Sequence, residues 1–134
     1  CIFDPDVSQE NPKDAAGRWK PALHLVPQSA NIVESVVLSL GAQKYGGAYN
    51  WREMPIRASV YLSAAMRHLA QWLDGQDDDP ESGVTHLAHA RACLGILLDA
   101  GATGNLIDDR PAKGAAAKLM ERFTSCAESS IGLG

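Results

Sequence analysis

The chain has 134 residues, of which 46% are hydrophobic and 21% charged, with a formal net charge of −4. This composition is typical of a soluble globular protein, and the length predicts a single domain over residues 1–134. The negative charge excludes a broad electrostatic surface for nucleic acid or anionic membrane, so neither is an expected partner. Since the chain shows no signal sequence, no apolar run of about 20 residues and no regular cysteine spacing, we expect it in the cytoplasm.

Turn residues and prolines fill the beginning of the chain, which predicts an irregular N-terminal arm over residues 1–27. After it, apolar residues recur at helical spacing in four stretches. They predict helices beginning near Ser29, Ile56, Asp79 and Gly114. The β-branched residues form no alternating strand pattern. The sequence therefore predicts an all-α bundle of about four helices, with the nearly apolar third helix at its centre.

Leucines dominate the apolar stripes of the two middle helices. The second predicted helix carries Leu62, Met66, Leu69 and Leu73, with Tyr61, Ala65, His68 and Trp72 on an adjoining face. The third carries Leu87, Leu94 and Leu98. We expect these leucine-rich stripes to form the core.

Asp79, Pro80 and Glu81 stand where the third helix is predicted to begin. Asp79 is a good N-cap, Pro80 suits the first helical position, and Glu81 complements the positive end of the helix dipole. A helix N-terminus can also bind phosphate, so the capping role does not exclude a part in a ligand site.

Two of the four histidines, His86 and His89, lie one helical turn apart, and His68 lies on the preceding helix. A single histidine in such a place is usually a packed core or surface residue. Several imidazoles that face the same way can instead share a metal ion. Both interpretations stay open from the residues alone.

The segment "KYGGAYNWR" collects Lys44, Tyr45, Asn50 and Trp51 in a glycine-containing loop. A cation, an amide and aromatic rings are the groups that a nucleotide needs for its phosphates and base. The alternative is that Tyr45 and Trp51 anchor the loop to the core.

Two other charged residues have two interpretations each. Glu34 fits a capping box at the start of the first predicted helix, with Asn31 as the cap. Arg67, next to His68, lies on neither apolar stripe and points either to a phosphate or to solvent.

The ordered series of segments over about residues 11–111 resembles the phage dATP/dGTP diphosphohydrolases. The segments are "NPKDAAGRWKPALHLVP", "LGAQKYGGAYNWRE", "VYLSAAMRHLAQWLDG", "DPESGVTHLAHARACLGILLDA" and "GNLIDDRP". The resemblance implies a MazG-like all-α pyrophosphohydrolase of the MazZ type, with Mg²⁺ or Mn²⁺ as cofactor. Such an enzyme would convert dGTP or dATP to the monophosphate and pyrophosphate in phage nucleotide metabolism, in the host cytoplasm.

MazG-like enzymes hold their metal ions with ExxE and ExxD motifs, and neither motif occurs in this sequence. If the resemblance holds, the ligands must come from other residues. The set it then implies is Asp79, Glu81, His68, His86, His89 and Glu34, with Glu81 or His86 as the general base.

The resemblance also implies roles for the substrate contacts. Lys44, Arg67 and Arg110 would clamp the triphosphate, and Asn50 and Trp51 would contact the base and sugar. Asp109 and Arg110 in "DDRP" would close the pocket, unless Asp109 simply caps the fourth helix. Small bundles of this kind commonly bury their sites between protomers, so we expect a homodimer or homotetramer.

Two alternative functions follow from the same residues. The histidine and aspartate content fits an HD-like dNTP phosphohydrolase, although no adjacent His-Asp pair is present. A non-catalytic nucleotide-binding or interaction module would explain the missing ExxE and ExxD motifs.

Overall fold

The computed structural model describes residues 11–131, with side chains through residue 125. The helices in this range are α1 (Pro12–Gly17), α2 (Gln28–Lys44), α3 (Ala58–Leu73), α4 (His86–Thr103) and α5 (Ala116–Ile131). Single turns of 3-10 helix occupy Leu23–Leu25 and Asn50–Arg52. A parallel pair of two-residue strands joins β1 (Ile56–Arg57) to β2 (Leu106–Ile107). The all-α prediction is confirmed.

The N-terminal arm is more regular than predicted. Asn11 caps α1 by accepting a hydrogen bond from the backbone N–H of Lys13 at 2.7 Å, and Pro12 occupies the start of the helix. The prediction of a wholly irregular arm is therefore wrong over Pro12–Gly17 and Leu23–Leu25, while the remaining residues between 11 and 27 are irregular as predicted. Its part over residues 1–10 lies outside the described residues.

Helix α4 is the centre of the bundle, as the sequence predicts, because both α2 and α3 pack against it. Its buried residues are His86, Ala88, Ala90, Ala92 and Ala100. Helix α3 contributes the buried Ala58 and Ala65. Small side chains at these contacts let neighbouring helix axes approach closely.

The leucine-rich stripes, in contrast, lie outside this core. On α3, Leu62, Met66, Leu69 and Leu73 are between 40% and 79% exposed. On α4, Leu87, Leu94 and Leu98 are exposed as well. The prediction that these stripes form the core is wrong within one chain, because the adjoining alanine and histidine faces make the close α3–α4 contact.

Helix α4 begins later than predicted. Thr85 is its N-cap, and its hydroxyl accepts a hydrogen bond from the backbone N–H of Leu87 at 3.2 Å. Asp79 lies before the helix in a turn closed by the N–H of Gly83, whose φ of +72° favours glycine. The prediction that Asp79 caps the third helix is therefore wrong.

The capping role of Asp109 also differs from the prediction. Asp109 accepts a hydrogen bond from the backbone N–H of Ser59 at 2.8 Å and another from the Ser59 hydroxyl. It therefore caps the start of α3 instead of the helix that follows it in the chain. Nearby, Asn105 donates to the backbone carbonyls of Trp51 and Met54, so the same segment holds the loop that precedes α3.

The predicted fourth helix is present as α5, and every side chain described on it is exposed. Leu119, Met120 and Phe123 form an uncovered apolar side. None of the helices among the described residues is both long and apolar enough to cross a membrane.

Candidate metal and phosphate site

Three imidazoles meet where the end of α3 lies beside the start of α4. The rings of His68 and His89 are stacked, with centroids 4.6 Å apart and planes 12° apart. The Nδ1 atoms of His68 and His86 are 2.9 Å apart, which is a hydrogen-bond distance. The structure thus brings together the three histidines that the sequence singles out.

The loop between α3 and α4 adds a carboxylate to this cluster. The backbone N–H of Asp79 donates to the carbonyl of Val84, and its carboxylate accepts the backbone N–H of Glu81 at 2.9 Å. These bonds fix the turn. They place Asp79 Oδ2 at 3.7 Å from His89 Nε2 and 4.0 Å from His68 Nδ1.

His68, Asp79 and His89 form a group of side chains that could hold a metal ion. One ligand atom from each lies within 4.8 Å of the others. The three side chains are each between 16% and 19% exposed, so they are sheltered but within reach of solvent. Two imidazoles with one carboxylate suit Mn²⁺ or Zn²⁺ better than Mg²⁺, which prefers oxygen ligands.

Burial lowers the pKa of His68, and the neighbouring His89 lowers it further, against the opposing effect of Asp79. Burial also lowers the pKa of His89, where Asp79 again opposes the shift. Both imidazoles are therefore neutral at neutral pH. Neutral imidazole is the form that binds a metal ion.

His86 differs from the other two histidines because it is completely buried. Its Nδ1 is engaged with His68, and its Nε2 lies 2.7 Å from the Gln76 side-chain oxygen. With both ring nitrogens engaged and no solvent access, His86 holds His68 in place. Neither of its ring nitrogens faces solvent.

Charged groups surround the cluster on its open side. Glu81 is highly exposed, and its carboxylate lies 3.9 Å from the Lys44 ammonium. Arg67 is exposed on α3 and close enough to His68 to oppose its protonation. Of the residues predicted to bind phosphate, Lys44 and Arg67 therefore lie near the cluster.

Glu34 lies on the other side of α4. Its carboxylate accepts a hydrogen bond from Arg91 Nε at 2.7 Å, and Arg91 also donates to Asn31. A Cβ atom at Gly95 would come within 2.7 Å of Glu34, so this glycine makes room for the carboxylate. At 100° per residue, Arg91 and Gly95 face roughly away from His86 and His89. The structure does not bring Glu34 to the histidines.

The predicted base-binding loop lies at the far end of α4. Asp99 accepts hydrogen bonds from the Trp51 indole at 2.7 Å and from two nitrogens of Arg52 at 2.9 Å each. Asp99 follows His89 by ten residues, or about 15 Å along the helix. Asn50 bonds to its own loop through the Gly47 carbonyl, and Tyr45 is exposed.

Asp109 and Arg110 are also remote from the histidines in the chain's own fold. Asp109 is engaged at the start of α3, nine residues or about 13 Å along the helix from His68. Arg110 pairs with Asp108 through two nitrogens. The structure does not bring Asp109 or Arg110 to the histidines.

Sequence reasoning missed three polar residues that organise the molecule. Asp99 is the single acid of α4, and a lone acid in a largely apolar helix signals a paired group. Ser82, whose hydroxyl oxygen lies 2.7 Å from His89 Nε2, and Gln76 occupy a polar loop where such residues are common. No sequence signal distinguishes those two from their neighbours.

The fold and this cluster together describe an all-α protein with a largely buried group of two imidazoles and a carboxylate that could hold a metal ion. The chain belongs to the family "dATP/dGTP diphosphohydrolase, N-terminal", whose model matches residues 10–110. It is similar to a dATP/dGTP diphosphohydrolase of Salmonella phage PMBT28, with 41% identity over 62 residues. That match covers 46% of this chain and 20% of the phage protein. No solved structure matches the chain.

Proposed function

We propose that this chain takes part in the metal-dependent hydrolysis of dGTP or dATP to the monophosphate and pyrophosphate. The observation that carries the proposal is the convergence of His68, Asp79 and His89, beside two cations, in a member of this family. The named relative comes from a phage, so we place the reaction in nucleotide metabolism in the host cytoplasm.

His68, Asp79 and His89 would hold the ion. When bound, Mn²⁺ or Mg²⁺ would neutralise charge on the phosphate oxygens and lower the pKa of a bound water. The donor set favours Mn²⁺ of these two ions, because imidazole is a poor ligand for Mg²⁺. Lys44 and Arg67 would attract the triphosphate and stabilise charge that develops on it.

Glu81 is the better candidate for the general base. His86 is sealed from solvent and has both ring nitrogens engaged, whereas Glu81 is exposed beside Lys44. Glu81 would accept a proton from the attacking water as the water oxygen bonds to the α-phosphorus. The bond from the α-phosphorus to the bridging oxygen breaks, and pyrophosphate leaves.

Product analysis tests the reaction. We expect dGTP with Mn²⁺ to yield dGMP and pyrophosphate in equal amounts, resolved by ion-exchange chromatography. Asp79→Asn should abolish turnover, while Asp78→Asn, its exposed neighbour, should retain it. Absence of any turnover by the unmodified protein would contradict the proposal.

Substitution of Glu81 tests its role as the base. Glu81→Gln keeps the size of the side chain but cannot accept the proton, so kcat should fall by about 10²- to 10⁴-fold. Because Glu81 is not needed to hold the ion, Mn²⁺ affinity should change little. A variant with an unchanged kcat would remove Glu81 from the mechanism.

The imidazole-rich cluster also favours a second candidate, an HD-like hydrolase that removes the whole triphosphate. In that case the same dGTP digest would contain deoxyguanosine and tripolyphosphate, with no pyrophosphate. A non-catalytic module would bind dGTP and leave it intact.

The proposal includes a homodimer or homotetramer. The exposed stripe formed by Leu62, Met66, Leu69 and Leu73 on α3 supports it, because exposed apolar surface of this kind marks protein interfaces. Association would also provide the only route for Arg110 to reach a histidine cluster, that of a neighbouring copy.

A further inference from the structure

His86 has two defined polar contacts and no access to solvent. Its Nε2 lies 2.7 Å from Gln76 Oε1, and its Nδ1 lies 2.9 Å from His68 Nδ1. The side chain is 0% exposed, so water does not supply further partners. The positions of the protons in this chain of contacts therefore follow from the partners themselves.

The amide oxygen of Gln76 can only accept a hydrogen bond, so His86 Nε2 must carry the hydrogen. A neutral imidazole has one N–H, which leaves His86 Nδ1 as an acceptor. The partner of that nitrogen is His68 Nδ1, which must then be the donor. Asp79 Oδ2, at 4.0 Å from His68 Nδ1, is too far away to compete.

We propose that Gln76 and His86 form a relay that fixes His68 as its Nδ1–H tautomer and leaves the lone pair on Nε2. In this relay, Gln76 and His86 are positioning residues: they decide which nitrogen of His68 is available to an ion or a proton. Because His86 engages His68 Nδ1, the nitrogen that lies 4.0 Å from Asp79, an ion would have to take the lone pair of His68 Nε2. A histidine ligand typically donates its second N–H to a fixed acceptor, and here that acceptor would be another imidazole.

The backbone supports the placement of Gln76. Its N–H donates to the carbonyl of Gln71 at 3.0 Å, one turn back on α3. Gly75, with a φ of +102°, provides the turn that brings Gln76 beside α4. The loop thus holds the amide oxygen of Gln76 against the buried imidazole, although Gln76 itself is exposed.

Two-bond ¹H–¹⁵N correlation spectra of the metal-free protein, with ¹⁵N-labelled histidine, test the relay directly. At pH 8 His68 is neutral, because burial lowers its pKa. We expect the Nδ1–H pattern for His68 and the Nε2–H pattern for His86. The Nε2–H pattern at His68 would overturn the proposal, whatever the variants show.

Substitutions at position 76 provide a second test. Gln76→Glu keeps an acceptor at His86 and should preserve both tautomers. Gln76→Arg presents only donors, so His86 Nε2 would have to accept, and both tautomers should reverse. Gln71→Arg, a matched change on the exposed side of α3, should leave both unchanged. Unchanged tautomers in folded Gln76→Arg would also overturn the proposal.

The expected effect of the relay on Mn²⁺ affinity rests on the proposed function, because it presupposes the metal site. The tautomer of His68 does not depend on that function. Gln76→Arg should weaken Mn²⁺ binding by about 10- to 100-fold in a titration with Mn²⁺ alone, and Gln76→Glu should not. If the tautomers are as expected but dGTP stays intact, the reaction fails and the relay stands. Equal Mn²⁺ affinity in all variants would show that the tautomer of His68 does not affect metal binding.

Discussion

At the scale of single residues, Asp99 shows how one partly exposed carboxylate organises a loop. It accepts hydrogen bonds from both Trp51 and Arg52, and Arg52 also lies over the ring of Tyr49 at 4.4 Å. Tyr49 has a φ of 55°, an uncommon backbone conformation for a residue other than glycine. The hydrogen bonds of Trp51 and Arg52 to Asp99 hold the loop that contains Tyr49.

Low pH should weaken the hydrogen bonds that Trp51 and Arg52 make to Asp99. The hydrogen bond from Arg52, followed by that from Trp51, lowers the pKa of Asp99 to about 2. A lowered pKa in the folded state means stability that is present above the ordinary aspartate pKa, near 4, and lost as the pH falls toward 2. We expect urea midpoints to fall over this range, and Asp99→Asn to remove part of that fall.

Asp108 offers the comparison for this experiment. Its pKa is also about 2, because of its hydrogen bonds from Arg110. These partners are two residues apart, so the unfolded chain can form the same contact and the difference between the states is smaller. Asp108→Asn should therefore change the pH dependence less than Asp99→Asn, and the reverse order would contradict this account of the loop.

The histidines of the site could be predicted from the sequence, whereas the residues that support them could not. The i, i+3 spacing of His86 and His89 places both on one face of a helix, and His68 lies on the neighbouring helix. The separate roles of the three depend on burial and on partners from a loop. Spacing carries no information about either, which is why His86 was predicted to be catalytic although it is sealed from solvent.

At the scale of secondary-structure elements, apolar periodicity predicted where the helices lie but not which face is packed inside. On α3 the stripe of larger residues is the exposed one, and the buried positions are Ala58 and Ala65, of which Ala65 is only 1% exposed. A hydrophobic pattern measures how apolar a face is. It does not distinguish a face that meets the chain's own core from one that meets another surface.

Ala65→Leu tests the close packing of α3 against α4. Three additional carbon atoms at a fully buried position should force the helices apart and destabilise the fold by about 1–3 kcal/mol. Ala70→Leu makes the same change at an exposed position of the same helix, where helix propensity is nearly the same. Urea unfolding should show a lower midpoint for the first variant only. Equal midpoints would mean that the contact is loose.

At the scale of the whole molecule, the exposed apolar stripe of α3 predicts self-association. Sedimentation of the purified chain should show a dimer or a larger species. Met66→Glu, in the middle of the stripe, should shift it toward the monomer because a charge would have to be buried. Gln71→Glu introduces the same charge elsewhere on α3 and should leave the assembly unchanged. A monomer at all concentrations would contradict the prediction.

The cap on α3 has a consequence for the order of events during synthesis. Asp109 stands fifty residues after the Ser59 whose backbone N–H it accepts, and Asn105 holds the loop just before that helix. While the chain emerges from the ribosome, α3 lacks its cap until Asp109 has left the exit tunnel. Helix α4 likewise lacks its contacts with β2 until that strand has emerged. The bundle should therefore become resistant to protease late and in one step. A nascent chain stalled with Asp109 still inside the tunnel should be cut readily within α3, and one stalled after its release should not.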